Sequence, residues 1–374
     1  MSDKKYRVAI IGCGYMGQIY ADAYSAYPDT EIVAIAEHDP ARLKAVGERH
    51  GVKALYADAQ ELFRDVVPDV AAVILPVKYI KDAVIAAAEA GVKGVSSDKP
   101  LESRLSDADK MVETCASRGV VFGGGYLQRA MNEVQEAAGW IREGRYGNLV
   151  GASVHGWGKQ VSGGGCQHIS VLRLFMNAEI EEVIAWGTPQ EALESGSDAG
   201  LVLSSQFRLS NGMDCPGFGT KTSSARGGVD VWSEDSLIRW DWAPPEIYQG
   251  FDETGARVRV EVEYKPYRWS EFDYLTGSIR SFLAAIETGS ELWVSGHDLR
   301  QALEVAIAAR ESAVRGNVPM KLPLEDRSLA IYPSGYRWFG GDIGTVDQTP
   351  EESASEPISA KTSPTLFSKT WTPR

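Results

Sequence analysis

The amino-acid sequence is short of positive charge and has no segment long enough to cross a membrane. Its 38 Lys and Arg residues stand against 51 Asp and Glu residues, which gives a formal net charge of −13 at pH 7. No basic cluster interrupts this acidic excess, so the electrostatic attraction on which nucleic-acid binding depends is missing. No apolar run approaches the roughly 20 residues of a membrane span. The composition therefore predicts a soluble protein without a nucleic-acid or membrane partner.

Cysteine is also scarce, and its spacing argues against disulfides and structural zinc. The four cysteines, Cys13, Cys115, Cys166 and Cys215, are far apart and form no C-x-x-C pair. His155 and His168 lack a carboxylate or thiol at metal-ligand spacing, so no metal is expected. The N-terminal residues lead into a short apolar run that glycines interrupt, which is not typical of a signal peptide. We therefore expect a cytoplasmic protein.

Tryptophan is absent from the first third of the chain. All ten tryptophans lie at or after Trp140, in a chain of 374 residues that is long enough for two or three domains. This asymmetry predicts two different structures. We expect a dinucleotide-binding domain over residues 1–125 and a second domain over 126–344. A tail over 345–374, rich in Ser, Thr, Pro and Glu, is either disordered or an arm on a neighbouring subunit.

The first third alternates short apolar runs with helical patterns. The predicted strands are Arg7–Ile11, Ile32–Ala36, Val70–Leu75, Val92–Ser97 and Val120–Phe122. The helix after Pro100 is expected to begin near Ser106, an N-cap candidate. Strands separated by helices require right-handed crossovers, so the pattern predicts an α/β fold with a doubly wound parallel sheet.

After Gly125 the pattern changes to consecutive strands. One helix over about Asn132–Glu143 precedes strand-like segments that run from Leu149 to Tyr264, and two helices follow. This order predicts an α+β domain with one large, mostly antiparallel sheet. Because an open sheet leaves one face to be covered, we expect a homo-oligomer.

A glycine-rich turn between the first strand and the first helix is the strongest local signal. In Gly12-Cys13-Gly14-Tyr15-Met16-Gly17, the first glycine permits the turn, the second lets the backbone approach a pyrophosphate, and the third allows close helix packing. Glu37, twenty residues beyond Gly17, is placed to accept hydrogen bonds from a ribose. Its charge repels a 2′-phosphate, so NAD is favoured over NADP, although His38 and Arg42 weaken that preference.

Taken together, the motifs resemble those of the glucose–fructose oxidoreductase/inositol dehydrogenase (Gfo/Idh/MocA) family over about residues 5–325. The resemblance is carried by the glycine turn and by the following segments: Ala36-Glu37-His38-Asp39-Pro40-Ala41-Arg42, Leu75-Pro76, Asp98-Lys99-Pro100-Leu101, Gly125-Tyr126-Leu127-Gln128-Arg129, Gly163-Gly164-Gly165 with His168, and Leu303–Arg310 with Leu322-Pro323-Leu324. It implies a Rossmann domain followed by a substrate domain that also forms oligomers.

The resemblance assigns roles to particular residues. Lys99 lies near the nicotinamide and the reacting hydroxyl, and His168 is the proton acceptor during alcohol oxidation. Oxidation of a secondary alcohol requires such a base, and a neutral histidine suits the task. The remaining residues assigned to the cofactor are Leu75, Pro76, Asp98 and Gln128. Tyr126 is assigned to the substrate.

Two positions depart from the family pattern. Asp98 stands where glutamate is usual, and Gly164 stands where polyol-oxidising members often have an aspartate that binds a substrate hydroxyl. We therefore expect Gln167, or a group from elsewhere, to contact the sugar. Trp157 is a further candidate because it directly precedes the loop that leads to His168, and a flat ring can stack on a sugar.

Three functions fit these residues. The first is NAD-dependent oxidation of a secondary hydroxyl of a sugar, glycoside or cyclitol, for which C3 of a pyranoside is a specific version. The second is NAD-dependent glycoside cleavage through transient oxidation at C3. The third is a ligand-sensing regulator on the same fold, against which the presence of both Lys99 and His168 argues.

Overall fold

The computed structural model describes residues 5–125, 127–220, 227–264 and 273–339. Two of the sequence predictions, Tyr126 as a substrate contact and the tail over 345–374, lie outside these residues. Within them the chain forms two sheets, one of six strands and one of nine. No helix in this part of the chain is both long enough and apolar enough to span a membrane.

The first sheet is parallel throughout its described part. Its strands are β1 (Tyr6–Ile11), β2 (Thr30–Ala36), β3 (Leu55–Tyr56), β4 (Val70–Val73), β5 (Gly94–Ser97) and β6 (Val121–Gly123). They lie in the order β3-β2-β1-β4-β5-β6. The helices between them are α1 (Tyr15–Ala26), α2 (Pro40–His50), α3 (Ala59–Asp65), α4 (Val77–Ala90) and α5 (Leu105–Ser117). The predicted doubly wound parallel sheet is confirmed, and the strand order reverses between β1 and β4.

Local chemistry sets most of the helix ends in this region. The Asp39 carboxylate accepts the backbone N–H groups of Ala41 and Arg42 and so caps α2. The helix α4 is terminated by Gly91, the residue after its last turn, whose φ of 86° favours glycine.

The expected N-cap at Ser106 is wrong, because α5 begins one residue earlier, at Leu105. The backbone N–H groups of Leu105 and Ser106 donate to the carbonyls of Leu329 and Arg327 instead. Main-chain acceptors from the end of the chain therefore satisfy donors that a capping side chain would otherwise bind.

The second sheet is antiparallel except where β10 pairs with β7. Its strands are β7 (Gly151–His155), β8 (Ile180–Thr188), β9 (Val202–Leu209), β10 (Asp214–Phe218), β11 (Gly228–Trp232), β12 (Ser236–Trp240), β13 (Glu246–Phe251), β14 (Arg257–Val260) and β15 (Met320–Lys321). The order is β14-β13-β12-β11-β7-β10-β9-β8-β15. The predicted large, mostly antiparallel sheet is confirmed.

The remaining helices accompany this sheet. They are α6 (Asn132–Arg142), α7 (Gly165–Met176), α8 (Gln190–Ser195), α9 (Asp273–Thr288), α10 (Gly296–Val314) and α11 (Gly335–Phe339). Sequence periodicity did not predict α7, because all of its residues are buried and no polar stripe marks a solvent face. It lies with α10 against one face of the sheet.

The opposite face of the second sheet is open and partly aromatic. Trp186 on β8 is 52% exposed, and Phe218 on β10 is 38% exposed and stacks on His155. Asp230 and Arg239 form an ion pair on neighbouring strands of the same face. A single subunit leaves these aromatic rings in water, and exposed aromatic groups on a broad sheet are typical of an association surface.

We propose that a second copy of the chain covers this face. Trp186→Glu should weaken the association, because a carboxylate would have to be buried without a partner. Light scattering after size exclusion is expected to give at least twice the 40.7 kDa subunit mass for the unmodified protein and less for the variant. Val67→Glu, a change at an exposed apolar residue of the other domain, is the control. A monomeric unmodified protein would contradict the proposal.

Candidate active site

The glycine turn after β1 has the geometry of a dinucleotide cradle. Gly12 has a φ of 92°, and a Cβ there would collide with the Ile74 carbonyl. A Cβ on Gly17 would collide with the Gly12 carbonyl, so the helix can approach the strand only because both residues are glycine. Gly14 differs, since no atom lies within 4 Å of its Cβ position. Gly14 is also the N-cap of α1, so the open space adjoins the positive end of a helix dipole, where phosphate binds favourably.

The residues between these glycines have separate roles. The Cys13 side chain is fully buried, and its backbone N–H donates to the buried Glu37 carboxylate. Tyr15 and Met16 start α1 and pack, partly buried, against the hydrophobic cluster beneath the sheet. The cradle is therefore formed by backbone groups, and its side chains anchor it to the domain.

Glu37 lies directly beside the turn. One carboxylate oxygen accepts the Cys13 N–H at 2.7 Å, and the other accepts the Asp39 N–H at 2.9 Å. His38 Nδ1 and Arg42 Nη1 lie 2.9 and 3.7 Å from the second oxygen. The structure thus brings together the four predicted residues that surround the adenosine end. A buried carboxylate at this position disfavours a 2′-phosphate, whereas the Arg42 guanidinium attracts one.

The other predicted cofactor residues lie at the carboxyl ends of β4 and β5, the strands that come after β1 in the sheet. Leu75 reaches the glycine turn, with its side chain 2.8 Å from the Cβ position of Gly12, and Pro76 is the N-cap of α4. Asp98 follows β5, is buried, and accepts the Lys99 N–H at 2.8 Å. Lys99 itself is partly exposed. Carboxyl ends of parallel strands are where open α/β sheets bind ligands, so these residues line one continuous edge.

His168 lies on α7 beside two tryptophans that also contact each other. Its ring is edge-on to Trp240 and Trp242, with centroid separations of 5.6 and 5.5 Å. The side chain is buried, and neither ring nitrogen has a hydrogen-bond partner among the described residues. Burial lowers the pKa of His168 to about 4, His155 lowers it further, and the Gly164 backbone acts in the opposite direction. The imidazole is therefore neutral at pH 7, with an acceptor nitrogen available.

Lys99 and the start of α7 are electrostatically coupled through Cys166. Burial raises the pKa of the Cys166 thiol to about 12, whereas the positive charges of Lys99 and Arg337 oppose that rise. The Cys166 thiol donates to the Gly163 carbonyl. The lysine that follows β5 therefore lies close enough to the start of α7, the helix that carries His168, for its charge to act on Cys166.

The two predicted glutamines join the walls of the cleft. Gln128 Oε1 accepts the Trp240 indole N–H at 3.1 Å, and the Gln128 backbone N–H donates to Gln167 Oε1 at 2.8 Å. Both side chains are buried. In this structure Gln128 and Gln167 therefore hold α7 and β12 against the end of β6, while their assignment to cofactor and substrate stays a prediction.

The prediction that Trp157 contacts substrate needs correction. Its side chain is completely buried, and its ring meets Phe207 edge-on at 5.2 Å. A Cβ on Gly217 would lie 2.7 Å from the indole nitrogen. In this structure core side chains enclose the whole indole, so the ring has no surface left for a sugar.

Sequence reasoning missed two groups, the tryptophans beside His168 and an arginine at the loop before α7. Trp240 ends β12 and Trp242 follows two residues later. Residues two apart in a strand share a face, so this spacing could have suggested that the two rings lie together. The second group is Arg337, whose Nη1 lies 2.5 Å from the Cβ position of Gly163, the first of three successive glycines. The guanidinium occupies the space that a side chain at residue 163 would need.

Arg337 belongs to a C-terminal segment, residues 327–338, that runs between the two domains. Its Ile331 N–H donates to the Ser103 carbonyl, and the Asp198 N–H donates to the Tyr332 carbonyl. Asp198 in turn accepts the Ser162 N–H at 3.1 Å, in the loop before α7. The segment therefore links the chain beyond Lys99 to the loop that precedes His168.

Metal ligands do not gather in this cleft. Across the described ranges, no group of three or more His, Cys, Asp or Glu side chains is arranged to hold a metal ion.

Comparisons with known proteins agree with the cradle geometry. Residues 6–126 match the model of an oxidoreductase family with an NAD-binding Rossmann fold. A D-apiose dehydrogenase from Paraburkholderia graminis is 30% identical over 367 residues, covering 88% of this chain and 93% of that protein. A myo-inositol 2-dehydrogenase from Thermotoga maritima is 26% identical over 329 residues, covering 82% and 96%.

A solved structure extends this likeness to the whole fold. An oxidoreductase from Agrobacterium radiobacter, in complex with NAD+, L-tartaric acid and magnesium, has a TM-score of 0.69 at 20% identity, covering 85% of this chain and 98% of that one. The fold and the glycine cradle define an NAD-binding oxidoreductase. The chain belongs to the Gfo/Idh/MocA family.

Cofactor preference should depend on Glu37. In Glu37→Ser, removal of a charge close to the ribose should raise the NADP/NAD affinity ratio roughly 100-fold, because a charge pair at this range contributes a few kcal/mol. Calorimetric titration with each dinucleotide measures the ratio without turnover. The double variant Glu37→Ser/Arg42→Ala is the matched control and should lose much of the NADP gain. An unchanged ratio in Glu37→Ser would count against this role.

The low pKa of His168 predicts a pH-dependent stability. Between pH 6.5 and 4 the unfolded chain binds a proton at this position that the folded protein does not. The free energy of unfolding should therefore fall by about 2 kcal/mol between pH 7 and 5 through this group alone. His168→Phe should remove that part of the decrease, as measured by urea unfolding at both pH values. His297→Gln, at an exposed position on α10, should leave the decrease intact. Equal pH dependence in His168→Phe and the unmodified protein would contradict the burial effect.

Proposed function

We propose that the protein oxidises a secondary hydroxyl of a sugar, glycoside or cyclitol with NAD. The observation that carries this proposal is a buried histidine, neutral at pH 7, whose ring nitrogens have no close hydrogen-bond partner among the described residues, on a helix whose Cys166 is within range of the Lys99 charge. The names of the similar proteins support the substrate class, since they include an apiose and an inositol dehydrogenase. The reaction removes a hydride from carbon and a proton from oxygen.

Each residue has a defined part in the proposed reaction. When NAD is bound, its nicotinamide supplies the hydride acceptor. The imidazole of His168 accepts the hydroxyl proton, and a substrate hydroxyl would provide the hydrogen bond that the ring nitrogen lacks. The Lys99 ammonium donates a hydrogen bond to the same oxygen and stabilises the negative charge that develops there. The indole walls exclude water from the imidazole, so both interactions act in a medium of low polarity.

The finer proposal is oxidation at C3 of a pyranoside to the 3-keto glycoside. It is supported by Gly164, which leaves the site without the aspartate that polyol-oxidising members of the family often carry. Gln160 and Arg337 lie at this loop instead, with Arg337 Nη2 donating to Gln160 Oε1 at 3.3 Å. The specificity of the site for a hydroxyl pattern therefore differs from that of a polyol site.

The test combines net NADH formation with product identification. The protein should reduce NAD at 340 nm with at least one pyranoside or cyclitol, and mass spectrometry should find a product two hydrogens lighter. Lys99→Ala and His168→Ala should each lower kcat/KM by about 100-fold or more, because general acid–base groups contribute at least that much.

Two control variants remove a lysine charge and an imidazole at positions outside the site. Lys53→Ala and His297→Ala lie outside the cleft and should retain near-normal kcat/KM. Near-normal turnover in both Lys99→Ala and His168→Ala would overturn the assignment. Cleaved glycoside without net NADH would instead identify the glycoside-cleaving reaction.

A further inference from the structure

Trp242 has a backbone conformation that is unusual for its size. It follows β12 with a φ of 74°, in the left-handed region that glycine and asparagine adopt readily and bulky residues rarely do. This change of conformation explains why β12 ends at Trp240. A small residue would make the same turn with less strain, so a bulky one at such a position points to a use for the side chain.

The turn places the Trp242 ring beside the proposed base. Its centroid lies 5.5 Å from that of Trp240 and 5.5 Å from that of His168. Trp240 is completely buried and is fixed by its hydrogen bond to Gln128. Trp242 is only partly buried. Of the two indoles beside His168, Trp242 is therefore the one that retains surface for a ligand.

The two faces of a pyranose differ in the chemistry they offer to such a ring. Hydroxyl groups point outward and bind polar partners, whereas the ring C–H bonds form a flat, weakly positive patch. The π face of an indole carries negative charge density and is attracted to such C–H groups. An acyclic alditol has no rigid C–H face, so it gains less from the same contact.

We propose that Trp242 is a stacking platform for the C–H face of a pyranose ring, and that it thereby presents a ring hydroxyl to His168. This inference rests on the proposed function, because it gives the site a preference for cyclic over acyclic polyols. The buried Trp240, which is hydrogen-bonded to Gln128, packs against the Trp242 ring, and this contact and the one with His168 orient the ring before the sugar binds. Preorganisation of this kind lowers the entropic cost of binding.

The test compares Trp242→Asn and Trp242→Phe with the unmodified protein. Asparagine tolerates the left-handed conformation, so the turn is retained while the ring is lost. Phenylalanine retains a smaller ring. Trp232→Asn, which removes a partly buried indole from the neighbouring strand β11, controls for loss of a ring from the same sheet.

Binding is measured by calorimetry on the NAD-loaded protein, with methyl β-D-glucopyranoside and other methyl pyranosides as cyclic probes and D-glucitol as the acyclic probe. Trp242→Asn should weaken pyranoside binding about 10-fold, in line with the strength of aromatic stacking, and should change D-glucitol binding little. Trp242→Phe should retain most of the affinity. In kinetics, KM for pyranosides should rise more than kcat falls. The pyranoside-induced change in tryptophan fluorescence should shrink in Trp242→Phe even though binding persists.

Each contrary result has a separate meaning. Equal pyranoside affinity in Trp242→Asn and the unmodified protein would overturn the platform and leave the dehydrogenase proposal intact. Equal losses for both ligand classes, together with a lowered melting temperature, would mean that Trp242 only packs, and would also overturn it. If the unmodified protein oxidises acyclic polyols alone, the platform fails, whereas failure to bind or oxidise any carbohydrate overturns both proposals.

Discussion

The site depends on two hydrogen bonds made by Gln128. Its backbone N–H donates to Gln167 beside the proposed base, and its side-chain oxygen accepts the indole N–H of Trp240. These groups are buried, so loss of either bond would leave a polar atom unsatisfied, at a cost of about 1–3 kcal/mol. The residue after β6 thus sets the position of α7, and therefore of His168, relative to the sheet edge that carries the glycine cradle. It also fixes Trp240, against which Trp242 rests.

A buried network of charges supports the same arrangement from the other side of α7. Arg129 donates to the carbonyls of Trp293 and Ser170, and Arg173 donates to Asp298 at 2.9 Å. Burial raises the pKa of Asp298, but Arg129 and Arg173 outweigh that effect and hold it below its usual range. Each charge in this network has an opposite partner, so its burial is compensated. The network joins the segment after β6 to α7 and α10, and so resists sliding of the helix that carries His168.

Sequence reasoning succeeded where chemistry is local and failed where distant segments meet. The glycine turn needs three glycines at fixed spacing between a strand and a helix, so it could be identified directly, together with Glu37 at the next strand end. The helix α7 has no polar stripe, and periodicity therefore missed it. Trp157 follows a strand close to the site in sequence, yet its ring points into the core. Trp242 and Arg337 lie far from α7 along the chain. Only the pairing of β12 brings Trp242 to His168, and only the course of the C-terminal segment brings Arg337 to Gly163 in the loop before α7.

The close approach of Arg337 to Gly163 has an evolutionary consequence. Two positions at distant points of the chain compete for one volume, because a guanidinium lies where a side chain at residue 163 would be. Divergence at either position is therefore constrained by the other. A larger residue in place of Gly163 would displace the end of the Arg337 side chain, and with it the hydrogen bond from Arg337 to Gln160. The absence of a side chain at Gly163 therefore gives the C-terminal segment room to place Arg337 beside the loop that precedes the proposed base.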